Sequence, residues 1–302
     1  MLFTYLRLKL HLRAAGFDSV LHDYDWRLPI ETLGRELARR MRSDPAPRTA
    51  LVAHSMGGLV GRAALAGRRA PRVERFVMLG TPNFGSFAPV LALRGTYAVV
   101  RKIARLDHGN SAEQLASDVF STFPSLYQMI PTPGRVRTPN LFDRREWPRD
   151  GPAPRARLLS AARRLPKLLS SADERYHVIV GVNQETVTGL TRRGDDFVYT
   201  VTREGDGTVP AACAVLPGSH HYYASVAHSE LTRDETVTSA VVELLREGRT
   251  TRIATRPPRI RSGKARISDA ALRRRHVGKI DWAGLEPDRK STRLNSSHPY
   301  RS

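Results

Sequence analysis

The sequence has little of several features that define other classes of protein. It contains a single cysteine, Cys213, so no disulfide can form within the chain and stability has to come from packing. Basic residues interrupt the apolar positions of residues 2–15, which excludes the continuous apolar core of a signal peptide. No apolar run is long enough to span a membrane. Clustered metal ligands and a glycine-rich phosphate loop are also missing, so we expect no metal and no cofactor.

Acidic residues are fewer than basic ones, 29 against 49, and the net charge is +20. Residues 249–302 carry 15 Lys and Arg against 4 Asp and Glu, so 11 of the 20 net charges lie there. Elsewhere the basic residues are mostly arginines scattered over segments that also have apolar faces. This distribution is typical of a solvated surface and not of a nucleic-acid-binding stripe, so we expect no nucleic-acid partner.

The most informative stretch is LVAHSMGGLVGRAAL, residues 51–65. A short apolar run precedes Ser55, helical spacing follows it, and two small residues, Ala53 and Gly57, lie two positions to either side. The pattern predicts a strand, a sharp turn with Ser55 at its apex, and a helix packed back on the strand. Ser55 would then lie at the N-terminus of that helix, where negative charge that develops during a reaction is stabilised. This position favours a role for Ser55 as a nucleophile. The alternative is a serine that only caps a helix.

Periodicity predicts further strands and helices along the chain. Strands are predicted at residues 18–24, 49–53, 73–80, 176–182 and 196–202, the last being either a strand or a hairpin arm. Helices are predicted at residues 2–15, 28–42 and 234–245. Between residues 84 and 173 the strand pattern disappears, and one clear helix has Val99, Ile103 and Leu106 on its apolar face. The alternation on either side of this segment predicts an α/β protein.

Five separated motifs resemble those of a known enzyme family. They are GFDSVLHDYDWRLP, AHSMGGLVGR, VMLGTPNFGS, GDGTVP and AHSEL, all within residues 3–247. Their content and order are similar to the lecithin:cholesterol acyltransferase and GPI-inositol deacylase branch of the α/β-hydrolases. The resemblance implies an α/β-hydrolase fold, in which a mostly parallel sheet is flanked by helices. It also implies that residues 1–83 and 174–248 form the core and that residues 84–173 are a cap inserted over the active site.

The resemblance further implies a strand and an apolar-Gly loop before the first helix, and that loop donates one of the two oxyanion N–H groups. No residue before Met1 supplies this strand and loop. We therefore expect that the N-terminal strands are missing and that the chain is a fragment of low activity. The residue that donates the second oxyanion N–H group stays unidentified. In the cap, apolar residues either line an acyl-chain pocket or only pack against the core; these are Phe120, Phe123, Leu126, Tyr127 and Met129.

The family also implies a catalytic triad in the chain order Ser, Asp, His. Ser55 is the nucleophile, and its neighbour Met56 provides one oxyanion donor through its backbone N–H. Asp206 lies between two glycines on a loop after a strand, where the acid of this fold belongs, although an Asp-Gly pair also forms plain turns. The HSEL context selects His228 as the base. The substrate-binding residues are unknown.

Other candidates for the triad are weaker. Asp195 and Asp196 lie in a hairpin-like turn, and the adjacent His220 and His221 follow a Pro-Gly turn without the HSEL context. His54 is excluded because, as the neighbour of Ser55 on a sharp turn, it is expected to point the other way.

The C-terminal residues divide into two parts. Residues 249–287 form a basic extension, which begins with an Arg/Pro-rich linker or surface arm and continues with a segment of apolar spacing. Residues 288–298, DRKSTRLNSSH, resemble the translation of a common DNA-sequencing adaptor. We therefore treat residues 288–302 as a non-native tail.

The resemblance thus implies a serine esterase or lipase that cleaves a carboxylic ester, such as that of a lipid, through an acyl-serine intermediate. One alternative is an acyltransferase of the lecithin:cholesterol acyltransferase type. Another is an inactive hydrolase-like scaffold whose basic tail binds anionic lipid or nucleic acid. The expected partners are an ester or lipid substrate and, transiently, a membrane surface. The oligomeric state and the compartment are left open.

Overall fold

The computed structural model describes residues 2–107, 109–259 and 263–274. Within these residues lie seven strands: β1 (Leu51–His54), β2 (Phe76–Leu79), β3 (Tyr176–Gly181), β4 (Thr186–Arg193), β5 (Asp196–Thr202), β6 (His220–Ala224) and β7 (Ala265–Ser268). The same residues contain eleven α-helices: α1 (Leu2–Ala14), α2 (Ile30–Ser43), α3 (Met56–Ala64), α4 (Ala88–Leu93), α5 (Ala98–Leu106), α6 (Ala112–Asp118), α7 (Pro124–Gln128), α8 (Ala156–Ala162), α9 (Ala211–Ala214), α10 (Glu235–Glu247) and α11 (Asp269–Arg274).

The larger sheet is parallel throughout and has the strand order β1-β2-β3-β6. All residues of β2 and β3 are buried, as expected for parallel strands made of continuous apolar runs such as FVML. The register pairs Leu51 with Phe76 and Phe76 with Tyr176, so the carboxyl ends of the strands reach a common edge. In open α/β sheets, ligands bind in the crevice outside this edge.

Helices cover both faces of this sheet, because alternate residues of each strand point to opposite sides. Val77 and Leu79 pack with α1 and α10 on one face. On the other face, Phe76 contacts α3, and α2 packs on α3 in turn. The structure confirms the predicted parallel sheet flanked by helices.

The predicted long helices are confirmed within two residues as α1, α2 and α10. The ends of α10 show why its sequence folds there. The Asp234 side chain accepts a hydrogen bond from the Val237 N–H at the start, and Gly248 adopts a left-handed conformation at the end. No helix in the described part of the chain has both the length and the apolar character needed to cross a membrane.

The strand predicted at residues 18–24 is wrong, because these residues belong to no helix or strand. A strand requires a neighbouring strand with which to exchange backbone hydrogen bonds, and none of the described strands pairs with this segment. Val20, one of its apolar residues, is 62% exposed. The apolar residues of this segment therefore do not belong to a buried strand.

Residues 84–173 contain five α-helices, α4–α8, and none of the seven strands. They share a core with the second sheet, which is antiparallel and has the order β4-β5-β7. Thus β5, predicted as a strand or hairpin arm, is one arm of the β4–β5 hairpin. The division of the chain into a core and a cap at residues 84–173 stays a prediction.

Part of the predicted C-terminal extension packs with the antiparallel sheet and its helices. β7 pairs with β5, and Asp269 at the start of α11 is buried against Arg94, with 2.7 Å between its Oδ2 and the arginine Nε. The Tyr199 hydroxyl donates a second hydrogen bond to the same carboxylate, at 2.6 Å. Residues 260–262 and 275–287 of the predicted extension, and the predicted non-native tail at residues 288–302, lie outside the described residues.

Helix α5 exposes the apolar face that the sequence pattern assigns to it. Val99, Ile103 and Leu106 are 51%, 42% and 56% exposed, whereas Val100 and Ala104 are buried in the core that α5 shares with the other helices of this segment. The buried stripe is therefore narrow, consisting of Val100 and Ala104, while three other apolar side chains of the helix face outward.

Candidate active site

Ser55 lies at the turn between β1 and α3, on the carboxyl edge of the parallel sheet. Its backbone has φ 55° and ψ −129°, a conformation that residues other than glycine rarely adopt. The N–H of Ser55 donates to the Leu79 carbonyl of the neighbouring strand, and its carbonyl accepts from Gly58. The turn has the strand-turn-helix form that the sequence predicts.

One of the two glycines after Met56 allows α3 to approach the segment after β2 closely. A Cβ on Gly58 would lie 2.0 Å from the Thr81 hydroxyl oxygen and 2.8 Å from the Thr81 Cβ, closer than real Cβ contacts. At Gly57, an added Cβ would lie 3.5 Å from the Tyr24 hydroxyl, an ordinary contact. Of these two positions, Gly58 is therefore the one where the packing requires glycine.

His228 follows β6, and its imidazole lies over the turn. Its Nε2 is 2.9 Å from Ser55 Oγ, and its Nδ1 is 2.7 Å from Asp206 Oδ2. The imidazole is 15% exposed and the carboxylate 1% exposed, so the hydrogen bonds form largely away from water. The three side chains that the sequence singles out are thus joined by two consecutive hydrogen bonds.

Asp206 is held by its own loop in the orientation that this pairing requires. Its Oδ1 accepts hydrogen bonds from the N–H groups of Thr208 and Val209, at 2.9 and 2.7 Å. Its backbone carbonyl accepts the N–H of His228 at 2.8 Å. The turn that an Asp-Gly pair favours is present, and it leaves Oδ2 directed toward His228.

Two glycines that the sequence analysis did not single out make room for this pair. Gly80 directly follows β2 with φ +55°, and a Cβ there would lie 2.9 Å from Asp206 Oδ2 and 3.0 Å from His228 Nδ1. At Gly181, the last residue of β3, a Cβ would lie 2.5 Å from the Cβ of Asp206. Both glycines close apolar runs at the carboxyl ends of strands, a pattern by which they could have been identified.

The expectation that His54 points away from the site is wrong. Its ring centroid is 4.7 Å from that of His228, and its Nε2 is 2.9 Å from the His228 backbone oxygen. Strand alternation explains this placement. His54 points to the same face of the sheet as Val52, the face covered by α1 and α10, and the segment that carries His228 leads into α10 on that side.

His54 nevertheless does not occupy the position of a base for Ser55. Burial, followed by the electrostatic influence of the nearby His228 imidazole, lowers the pKa of His54 to about 4, so the His54 ring is neutral near pH 7. The hydrogen bonds of its two nitrogens go to the His228 carbonyl and the Tyr5 hydroxyl, the latter at 3.2 Å. In the described structure, Ser55 Oγ bonds to His228 instead.

The weaker candidates lie elsewhere. His220 stacks on His177 at 5.1 Å between ring centroids, and His221 bonds to the Leu216 carbonyl. Asp195, in the turn between β4 and β5, accepts two backbone N–H groups, and Asp196 begins β5. The structure brings none of these four into contact with Ser55.

Met56 is the first residue of α3, so its N–H belongs to the helix end that carries partial positive charge. No acceptor for this N–H is found among the described residues. It is therefore free to donate to an oxygen that approaches Ser55. The described part of the chain brings no three His, Cys, Asp or Glu side chains together where they could share a metal ion.

The apolar residues predicted either to line an acyl pocket or to pack the cap divide into two groups. Phe120, Leu126 and Tyr127 are buried in the helical core, with at most 9% exposed, as packing requires. Phe123 and Met129 are half-buried at the edge of that core. Only this second pair keeps side-chain surface that a ligand could reach.

Comparison with known proteins relates the chain to one family. Residues 12–150, just under half of the chain, match the family described as lecithin:cholesterol acyltransferase. The match contains three of the five motifs in full, including the turn at Ser55. Among curated proteins, none matches the chain significantly.

Several solved structures are similar to this chain at low sequence identity. Lipase BlEst2 of Bacillus licheniformis in its propeptide form aligns with 79% of this chain at 18% identity and a TM-score of 0.46. This chain spans 45% of that protein's length. The mature form of the same lipase aligns with 79% of this chain and 83% of its own, at 16% identity and a TM-score of 0.48. The Tle4–Tli4 complex aligns over 74% of this chain and 68% of its own, at 15% identity and a TM-score of 0.46.

Proposed function

We propose that this chain, whose residues 12–150 match the family described as lecithin:cholesterol acyltransferase, is a serine hydrolase acting on a carboxylic ester of a lipid. The observation that supports this most strongly is the pair of hydrogen bonds, 2.9 and 2.7 Å long, that connects Ser55 through His228 to Asp206. Nucleophile, base and orienting carboxylate are the three roles that acyl transfer through serine requires.

In the proposed first step, Ser55 Oγ attacks the ester carbonyl carbon while its proton passes to His228 Nε2. The Nδ1–H of His228 stays hydrogen-bonded to Asp206, whose negative charge stabilises the imidazolium that forms. His228 then transfers the proton from Nε2 to the oxygen of the leaving alcohol as the C–O bond breaks, which leaves an acyl group on Ser55. Water repeats the sequence and releases the acid.

The developing oxyanion needs hydrogen-bond donors at the turn. The N–H of Met56 lies next to Ser55 at the N-terminus of α3, where the helix dipole adds a favourable field. We assign Met56 as one oxyanion donor. Each such donor typically contributes a factor of about 100 to 1000 to turnover.

An acyltransferase is the second candidate, because it is the activity for which the matched family is named. Both reactions proceed through the same acyl-Ser55 and differ only in whether water or an alcohol accepts the acyl group. Adding an alcohol during the reaction separates them, since a transferase forms a new ester in preference to the free acid.

The exposed face of α5 supports transient contact with an anionic lipid surface. Three apolar side chains, Val99, Ile103 and Leu106, are directed outward, and Lys102 and Arg105 are exposed on the same helix. Apolar side chains accompanied by basic ones suit an interface between lipid tails and anionic headgroups. Such contact would bring the protein to its lipid substrate.

Hydrolysis of a p-nitrophenyl ester tests the proposed function. We expect Ser55→Ala to lose nearly all of the activity, by a factor of at least about 1000, because the acyl-enzyme cannot form. Ser117→Ala is the matched control, since this exposed serine lies on α6, away from the site. Equal rates for Ser55→Ala and the unmodified chain would refute the proposal.

A further inference from the structure

A second histidine lies against the main chain of the proposed base. The Nε2 of His54 is 2.9 Å from the backbone oxygen of His228, and the Nδ1 of His54 is 3.2 Å from the Tyr5 hydroxyl. The rings of Tyr5 and His54 also meet edge to face, with 5.9 Å between centroids. A continuous set of contacts therefore leads from α1 through β1 to His228.

The chemistry of the acceptor determines which nitrogen of His54 carries the proton. A backbone carbonyl only accepts hydrogen bonds, so Nε2 must be protonated where it meets the His228 oxygen. In the neutral ring Nδ1 then has a lone pair, which accepts from the Tyr5 hydroxyl. The Tyr5 hydroxyl is thus the donor in its contact with His54, and the His228 carbonyl determines the tautomer.

The backbone of His228 is consequently held on both sides. Its N–H donates to the Asp206 carbonyl at 2.8 Å, and its C=O accepts from His54 at 2.9 Å. The imidazole of His228 is hydrogen-bonded at the same time to Asp206 Oδ2 at 2.7 Å and to Ser55 Oγ at 2.9 Å. A small displacement of the His228 backbone would therefore lengthen both bonds. A misplacement of about 1 Å in an active site can lower the rate roughly 100-fold.

A separate contact keeps Tyr5 in place. The Thr232 hydroxyl donates to the carbonyl of Thr4 at 2.9 Å, and Thr232 is fully buried four residues after His228. The first part of α1 is therefore attached to the segment of His228 at two points. This second attachment fixes the distance between Tyr5 and the site independently of His54.

We propose that His54 is a positioning residue that fixes the backbone of His228 through its Nε2–H, and that Tyr5 holds the His54 ring in place by donating a hydrogen bond to its Nδ1. This proposal rests on the proposed function, in which His228 is the base. It assigns a role in the site to the histidine before the nucleophile and to a tyrosine of the first helix, without contact between either residue and the substrate.

Steady-state kinetics of three variants test the proposal. His54→Leu removes the donor and should lower kcat about 10- to 100-fold with KM changed less than about threefold, because only alignment in the transition state is affected. His54→Gln places an amide N–H near the position of Nε2 and should recover kcat to within about threefold of the unmodified chain. Tyr5→Phe should lower kcat about two- to fivefold.

His220→Leu is the matched control, because it removes an exposed imidazole outside the site and should leave kcat unchanged. Two results would overturn the proposal: full kcat in His54→Leu, or a kcat in His54→Gln as low as that of His54→Leu. The second result would mean that the His54 ring only packs against its neighbours and does not hold the His228 backbone by a hydrogen bond.

The NMR resonance of the His228 Nδ1 proton gives a readout that does not depend on turnover. It should persist in Ser55→Ala and in His54→Gln, but shift or broaden in a folded His54→Leu, whose folding is checked by its thermal unfolding transition. An unchanged resonance in His54→Leu would overturn the positioning role. A failure of the proposed function would give a different result. Ser55→Ala would then retain ester hydrolysis, whereas the His228 Nδ1 proton resonance would still depend on His54.

Discussion

Replacing Gly80 with alanine tests whether the space beside Asp206 and His228 is required for catalysis. The added methyl group would lie 2.9 Å from Asp206 Oδ2, 3.0 Å from His228 Nδ1 and 2.8 Å from Leu231 Cδ1. Ordinary contacts begin at about 3.4 Å, so the pair would have to move by several tenths of an ångström. We expect kcat to fall about 10- to 100-fold, since both hydrogen bonds of His228 depend on its position.

The same substitution also affects stability, through the backbone and through the contacts. An alanine at φ +55° costs about 1–2 kcal/mol relative to glycine, and the displaced neighbours add about 1–2 kcal/mol more. Gly67→Ala separates the two effects, because Gly67 has φ +85° and nothing within 4 Å of an added Cβ. It should show the backbone cost alone and keep full activity.

Urea unfolding and ester hydrolysis, measured on both variants, separate the effect on stability from the effect on catalysis. The free energy of unfolding should fall in both, and kcat should fall only in Gly80→Ala. If a folded Gly80→Ala retained the kcat of the unmodified chain, the Asp206–His228 pair would not need the position that the structure gives it, and our reasoning about the site would be refuted.

Two further predictions concern pH and lipid. Burial, followed by nearby His220 and Arg75, lowers the pKa of His177 to about 4, so the unfolded chain, whose histidines titrate near 6.5, binds the extra proton as the pH falls through this window. The contribution of His177 to stability, which is complete above pH 6.5, should therefore be lost as the pH falls toward 4. Urea unfolding of His177→Phe should show a loss of stability between pH 7 and pH 5 that is smaller by about 1–2 kcal/mol than in the unmodified chain, and an equal loss in both proteins would contradict this. The double substitution of Val99 and Ile103 by serine should reduce sedimentation with phosphatidylglycerol vesicles at least about fivefold and leave hydrolysis of a soluble ester unchanged. Val20→Ser, also an exposed apolar site, is the control, and unchanged vesicle binding by the double variant would exclude α5 as the contact.

Local sequence was sufficient to predict the turn at Ser55. A short apolar strand, small flanking residues and a helical pattern all act within residues 51–65, and no distant partner is needed to specify them. The amphipathic helices α2 and α10 were predictable for the same reason, because their apolar faces are encoded at helical spacing. The identification of Asp206 and His228 instead required the resemblance to a family, since nothing local distinguishes His228 from His220 or His221.

What could not be predicted depends on contacts between distant parts of the chain. Residues 18–24 contain Val20, Leu21 and Tyr24, which suit a strand, but no strand of the described chain pairs with them, and local sequence does not reveal whether a partner exists. The direction of His54 follows from the face of the sheet on which α10 lies, which the sequence near His54 does not encode. Likewise, the pairing of β7 with β5 joins segments more than 60 residues apart.

The most direct test of the proposed triad is covalent labelling with a fluorophosphonate, read by mass spectrometry of peptides. Labelling reports the nucleophilicity of Ser55 without requiring turnover of a particular ester. We expect a single adduct on Ser55, abolished in His228→Ala and unaffected in His220→Ala. A chain whose Ser55 stays unlabelled, or is labelled equally well in His228→Ala, would contradict the central claim that His228 activates this serine.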